Sequence, residues 1–186
     1  MIVLHDVESA IPVVKAAQRI LVIGCSGSGK STLSQYLARR MDLLYISCDR
    51  DIFWLPGWKI RPRAEVDERM QFFVSMDRWI IDGNSPRTLP IRLSRTDMII
   101  WLRPSRSVCL WGVISRWIRF RGQTRPEMAE GCPEKIDAKF LRYIWNFEKT
   151  EVPEIMGHVN AARADIPVLE MKTRQQGERL LALLDA

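Results

Sequence analysis

Metal-ligating side chains are scarce in this chain. It has two histidines, His5 and His158, far apart in sequence, and four cysteines with no C-x-x-C pair among them. That excludes the common zinc frameworks. Cys25, Cys48, Cys109 and Cys132 are expected to be reduced thiols in a cytoplasmic protein. Long apolar runs are missing as well. None approaches the ~20 residues needed to span a bilayer, and His5, Asp6 and Glu8 interrupt the start where a signal peptide needs unbroken apolar sequence. A membrane partner is therefore not expected. Repeats, low-complexity linkers and a helix-turn-helix signature are also lacking, and so is the Asn-Lys-x-Asp motif of a guanine-specific GTPase.

What the chain does have is 186 residues, enough for one domain with a proper core, here taken as residues 1–186. Its net charge is +6. A basic excess of that size suits an anionic small ligand or a nucleic acid, and charge alone does not choose.

The stretch Ile20–Leu33 carries G-x-x-x-x-G-K-[ST], with Gly24, Gly29, Lys30 and Ser31 at the fixed positions. Apolar Ile20 to Ile23 precede it as a buried strand would, and Leu33, Tyr36 and Leu37 follow at helical spacing. Gly24, Gly27 and Gly29 free the backbone to curl its amides around an anion, and the following helix N-terminus adds unpaired N–H groups. Gly24, Cys25, Ser26, Gly27, Ser28, Gly29, Lys30, Ser31 and Thr32 are the expected phosphate-binding residues. Lys30 is expected to reach the β- and γ-phosphates of ATP, and Ser31 to ligate Mg2+.

Strands are expected at 19–23, 43–47, 79–81, 98–102 and 166–171, and helices at about 30–41, 62–76, 105–120, 136–149 and 174–184. Pro153 is expected to break the fourth helix, leaving a short helix to about 161. This alternation is that of a doubly wound α/β sheet. Residues 1–18 form an N-terminal extension, with Met1–Leu4 an extra strand or a packed arm. Asp49 falls just beyond the second strand, where parallel sheets place their ligands. Asp82 ends the third strand, the position of a magnesium-holding acid beside a P-loop. Trp54 and Trp58 flank a Pro-Gly turn and form either a packed mini-core or a stacking wall for a planar acceptor. Arg116, Arg119, Arg121 and Arg125 cluster between two helices. Such a run is commonly a solvated helix end, but here it suits a lid closing on phosphate, since arginine's charge is permanent and its fork matches phosphate oxygens.

With these residues in view, the chain resembles the P-loop kinases of the adenylate kinase group. Gly24–Ser31 and the apolar strand ending Asp82-Gly83 carry that likeness. It is most similar to the bacterial topology-modulation proteins. The matching features are Asp49 before Phe53-Trp54-x-Pro-Gly-Trp58, then Asp82-Gly83-Asn84, and Arg121-Gly-Gln-Thr-Arg125-Pro-Glu-Met-Ala-Glu-Gly-Cys-Pro133. The aromatic helix from Phe140 to Phe147 completes them.

The resemblance implies a three-layer P-loop fold with a core five-stranded parallel sheet in the order 2-3-1-4-5. It also implies an acceptor-binding segment over 53–76 and a short lid over 119–135. The expected activity is transfer of the γ-phosphoryl group of ATP to a small-molecule acceptor by a monomer or homodimer. Lys30, Asp49 and the four arginines would be catalytic, Ser31 and Asp82 metal-binding. Asp49, Trp54, Trp58, Asn84 and Arg87 would bind the acceptor. The alternative is a nucleotide-binding regulator or nucleic-acid-associated NTPase.

Overall fold

The computed structural model describes residues 2–4, 6–163 and 165–185. Met1 and His5 of the N-terminal extension lie outside them. Five parallel strands make the centre of the sheet: β2 (Arg19–Gly24), β3 (Leu44–Ser47), β6 (Trp79–Asp82), β7 (Met98–Leu102) and β8 (Pro167–Met171). They lie in the order β8-β7-β2-β6-β3. With these five renumbered along the chain, that is the expected 2-3-1-4-5. A sixth strand, β1 (Ile2–Leu4), pairs in parallel with β8. The expected count of five is therefore exceeded by one, because the N-terminal extension supplies an edge strand rather than an arm. The remainder of that extension is helix α1 (Val7–Ala16), capped by Asp6 through the Ser9 amide.

The sheet is apolar on both faces, as a covered parallel sheet must be. Residues alternate between two cores. Leu21, Ile23, Trp79, Ile81, Ile99 and Trp101 face helices α3 (Arg63–Ser75), α4 (Leu89–Leu93), α5 (Arg106–Arg119) and α6 (Ala138–Ala161). Ile20, Val22, Ile80, Met98 and Ile100 face α1, α2 (Lys30–Met41) and α7 (Arg174–Asp185). Strands β2 and β7 end level, with Gly24 beside Leu102, while β6 ends two residues short of them, with Asp82 beside Val22. A two-stranded ribbon, β4 (Trp54–Leu55) with β5 (Lys59–Ile60), stands beyond β3.

One boundary differs from expectation. Pro153 does not break α6, which runs unbroken from Ala138 to Ala161. Proline forfeits one hydrogen bond to the carbonyl four residues back. Here that carbonyl belongs to exposed Lys149, where water can serve it, while Val152, Ile155 and Val159 are buried and hold the helix down.

Candidate active site

The P-loop links β2 to α2. Gly24 has φ 141°, and a Cβ there would lie 2.1 Å from the Leu102 carbonyl oxygen of β7. Gly27 has φ 81°, and its Cβ would meet the Cys109 carbonyl oxygen of α5 at 2.1 Å. Only glycine fits either position, so the loop is pressed against both the sheet rim and α5. From the other side, a Cβ on Gly112 of α5 would fall 2.2 Å from the Gly27 carbonyl oxygen.

The loop is arranged for an anion. Gly29 caps α2 without any side-chain partner for its first amides. The Ser28 hydroxyl is buried and has no hydrogen-bond partner among the described residues. Lys30 Nζ donates to the Cys25 carbonyl, at 3.0 Å. A helix N-terminus with free amides, an orphaned hydroxyl and a lysine folded onto backbone fit the phosphates of a nucleotide. Beside them Asp82 is buried and hydrogen-bonded to Ser31, and the Tyr45 hydroxyl donates to its Oδ2 at 3.3 Å. Burial raises the Asp82 carboxyl above its ordinary range, and the Lys30 charge and the Ser31 hydrogen bond pull it back. A serine hydroxyl and a carboxylate are the hard oxygen donors that suit Mg2+.

The second half of the site is built on the π-helical turn Cys48–Phe53 that follows β3. Arg125 Nη2 donates to Asp49 Oδ2 at 3.2 Å. One oxygen of Glu134 lies 3.1 Å from Arg116 Nε and 2.8 Å from Arg125 Nε, although neither N–H lines up with it as a hydrogen bond. Burial lowers the Arg116 pKa, helped by the neighbouring Arg125 charge and opposed by Glu134. Ser47 lies beside Asp82 in the sheet, and a Cβ on Gly83 would fall 2.5 Å from that of Cys48, so the turn carrying Asp49 adjoins the Asp82 end of the site.

The segment 119–135 covers this junction. Ser47 Oγ donates to the Glu127 carbonyl at 2.8 Å, and Gln35 to the Glu127 carboxylate. Met128, Ala129 and Cys132 pack on Trp54 and Trp58, whose rings meet edge to face at 5.1 Å. The Trp58 amide and indole donate to Cys132 Sγ and to the Pro133 carbonyl. The two tryptophans thus form the mini-core beneath this segment.

The structure brings together Lys30, Ser31 and Asp82, and also Asp49, Arg116 and Arg125. It does not bring in Arg119, exposed at the end of α5, or Arg121, whose guanidinium lies over Trp117 at 5.4 Å. Arg87 pairs with Asp67 of α3 at 2.7 Å. Asn84 holds the P-loop backbone at Gly24. Sequence reasoning missed Tyr45, Arg92, Gly112 and Glu134. Tyr45 alone had a signal, the strand alternation that separates it from Ile46. The other three read as ordinary helix or loop residues.

No protein-family model matches the chain, and no curated protein matches it in sequence. Solved structures do match in shape. A shikimate kinase from Acinetobacter baumannii superposes with a TM-score of 0.55 at 15% identity, covering 96% of each chain. A shikimate kinase from Bacteroides thetaiotaomicron gives 0.51 at 18% identity, over 91% of this chain and 97% of that one. A sugar kinase from Janibacter gives 0.51 at 16%, over 90% and 94%. Identities this low speak for architecture alone: the chain has the fold of the P-loop kinases.

Proposed function

We propose that the protein is an ATP-dependent kinase of the cytoplasm that phosphorylates a hydroxyl group on a small molecule, a nucleoside, nucleotide or related compound. Our reading also keeps its kinship with the topology-modulation proteins, on the motifs quoted above. No helix among the described residues is long and apolar enough to cross a membrane. The observation that carries the proposal is the meeting of two halves: Lys30, Ser31 and buried Asp82 on one side, Asp49 paired with Arg125 on the other. A site for nucleotide binding alone has no need of the second half.

In this reading the P-loop amides and Lys30 hold the donor phosphates. Ser31 and Asp82 would hold Mg2+, which supplies charge neutralisation on the phosphates when bound. Asp49 receives the proton of the acceptor hydroxyl. The acceptor oxygen bonds to the γ-phosphorus as the bond to the β,γ-bridging oxygen breaks, leaving ADP. Arg116 and Arg125 face the charge on the transferred group, and segment 119–135 keeps water out. Phosphoryl transfer asks for positioning and charge more than covalent chemistry, so these groups suffice in kind.

The test is a screen of nucleosides, nucleotides, sugars and short oligonucleotides for acceptor-dependent ADP release, with Lys30→Ala as the control. One acceptor class that stimulates the wild-type protein and not the variant supports the proposal. A flat panel counts against it, and release driven by oligonucleotides alone favours the nucleic-acid reading.

A further inference from the structure

Asn84 uses both ends of its side chain on the backbone of one residue, Gly24. The Gly24 amide donates to Asn84 Oδ1 at 3.0 Å, and Asn84 Nδ2 donates to the Gly24 carbonyl at 2.6 Å. A paired contact of this kind fixes the position and the rotation of a backbone unit together. Gly24 is where the P-loop leaves β2, so its orientation sets where the following amides point.

The turn that carries Asn84 is strained at the next residue. Ser85 sits in the left-handed region at φ 80°, which a residue with a side chain occupies at a cost. Arg92 supports it. Its Nη1 donates to the Gly83 carbonyl at 2.6 Å, and its Nη2 to the Asn84 and Ser85 carbonyls at 2.7 and 2.9 Å. Arg92 is fully buried, and its guanidinium pairs with no carboxylate among the described residues. Burial lowers its pKa, and Asp82 offsets this in part. A buried guanidinium without an ion-pair partner is a poor device for stability by itself. It is a good device for gathering three carbonyls that a turn leaves aimed at one point.

We propose that Asn84 and Arg92 are positioning residues of the phosphate site: Arg92 shapes the turn 83–85, and the Asn84 amide locks Gly24, so the P-loop is set before a ligand arrives. This rests on the nucleotide reading of the P-loop given above. It places Asn84 on the donor side of the site, with its amide oxygen and nitrogen both engaged by Gly24.

The full-length protein tests this with two readouts. The first is hydrogen exchange at the Gly24 amide without nucleotide, in wild type, Asn84→Ala, Arg92→Lys and the double variant. Asn84→Ala is expected to speed Gly24 exchange about tenfold, the scale of one lost hydrogen bond, while Leu21 to Ile23 stay protected. Arg92→Lys, which keeps the charge but reaches fewer carbonyls, is expected to give a smaller change. The double variant should exceed Asn84→Ala by nothing measurable. The second readout is MgADP binding by calorimetry, where Asn84→Ala should weaken affinity about tenfold with little change in melting temperature.

Unaltered Gly24 exchange in Asn84→Ala overturns the proposal. Unaltered MgADP affinity overturns it too, even if exchange quickens. Should wild type bind no MgADP, the kinase reading falls, and the exchange result alone still decides for or against the brace.

Discussion

Asp49 and Arg125, 76 positions apart in sequence, meet at 3.2 Å. The acid expected to serve the acceptor is therefore already in contact with an arginine expected to serve the donor. The pair gives Asp49 a counter-charge and a fixed direction.

Asp49→Asn keeps the size of the side chain and can still bond Arg125, but it cannot accept a proton. With an acceptor in hand, kcat at saturating nucleotide should fall ~10²- to 10⁴-fold, while MgADP affinity stays within about twofold of wild type. Steady-state ADP release and calorimetry check the two halves. A variant as active as wild type would remove Asp49 from the mechanism.

Asp82→Asn should trade function for stability, with a definite pH dependence. Burial lifts the folded-state pKa of Asp82 above its ordinary 3.8, so the folded protein loses stability as pH rises from there through the raised value. Asparagine removes that loss. The variant should melt a few degrees higher at pH 7, since ~1 kcal/mol is worth about 2–4 °C at this size. The difference should vanish below about pH 3.8. Thermal melts across pH measure it, and the same variant should lose its magnesium-dependent gain in nucleotide affinity.

Glu134→Gln leaves Arg116 and Arg125 facing each other with no negative charge between them. Their side chains are 22% and 10% exposed, so solvent screens them poorly. Breaking a buried pair from one side costs about 3–5 kcal/mol, and the value here should sit at or below the low end because Asp49 remains beside Arg125. The melting temperature should drop accordingly. Adding Arg116→Gln should recover part of the loss, a non-additivity that a double-mutant cycle reads directly.

Gly112→Ala probes the contact between α5 and the P-loop. Its new Cβ would fall 2.2 Å from the Gly27 carbonyl oxygen, so the backbone of one element has to move. In an open helix this substitution stabilises by about 1 kcal/mol. Here it should destabilise the protein and weaken MgADP binding more than tenfold. Gly157→Ala, where a Cβ meets nothing within 4 Å on α6, should do neither.

Cys48 shows how burial can silence a reactive group near this site. It follows β3, is buried, and its thiol is pushed up to about 12 by desolvation.

The legible part of the protein was what local spacing controls. Gly24-x-x-x-x-Gly29-Lys30-Ser31, the apolar runs of β2, β6 and β7, and the acid closing β6 announce themselves because strand period, glycine placement and helix phasing are set by neighbours in the chain. Pro153 went the other way. Its local penalty was real, but buried Val152, Ile155 and Val159 outweighed it, and no window of sequence states how much a distant core contributes. Trp54 and Trp58 stood between a mini-core and a stacking wall until Met128 and Cys132, 70 or more positions on, packed against them.

By itself, then, the sequence determined the glycine-rich loop after β2, the five central strands and the acid that closes β6, because each follows from short-range stereochemistry repeated along the chain, whereas the strand order came from the family resemblance. Tertiary structure decided the rest. It brought Arg116 and Arg125 to Glu134 and left Arg119 and Arg121 exposed, joined Asp49 to Arg125 and Asn84 to Gly24, and buried Arg92 under a strained turn. The reason is physical: these contacts depend on which carbonyls and charges the packed layers leave unpaired in one small volume, and only the folded chain brings those groups together.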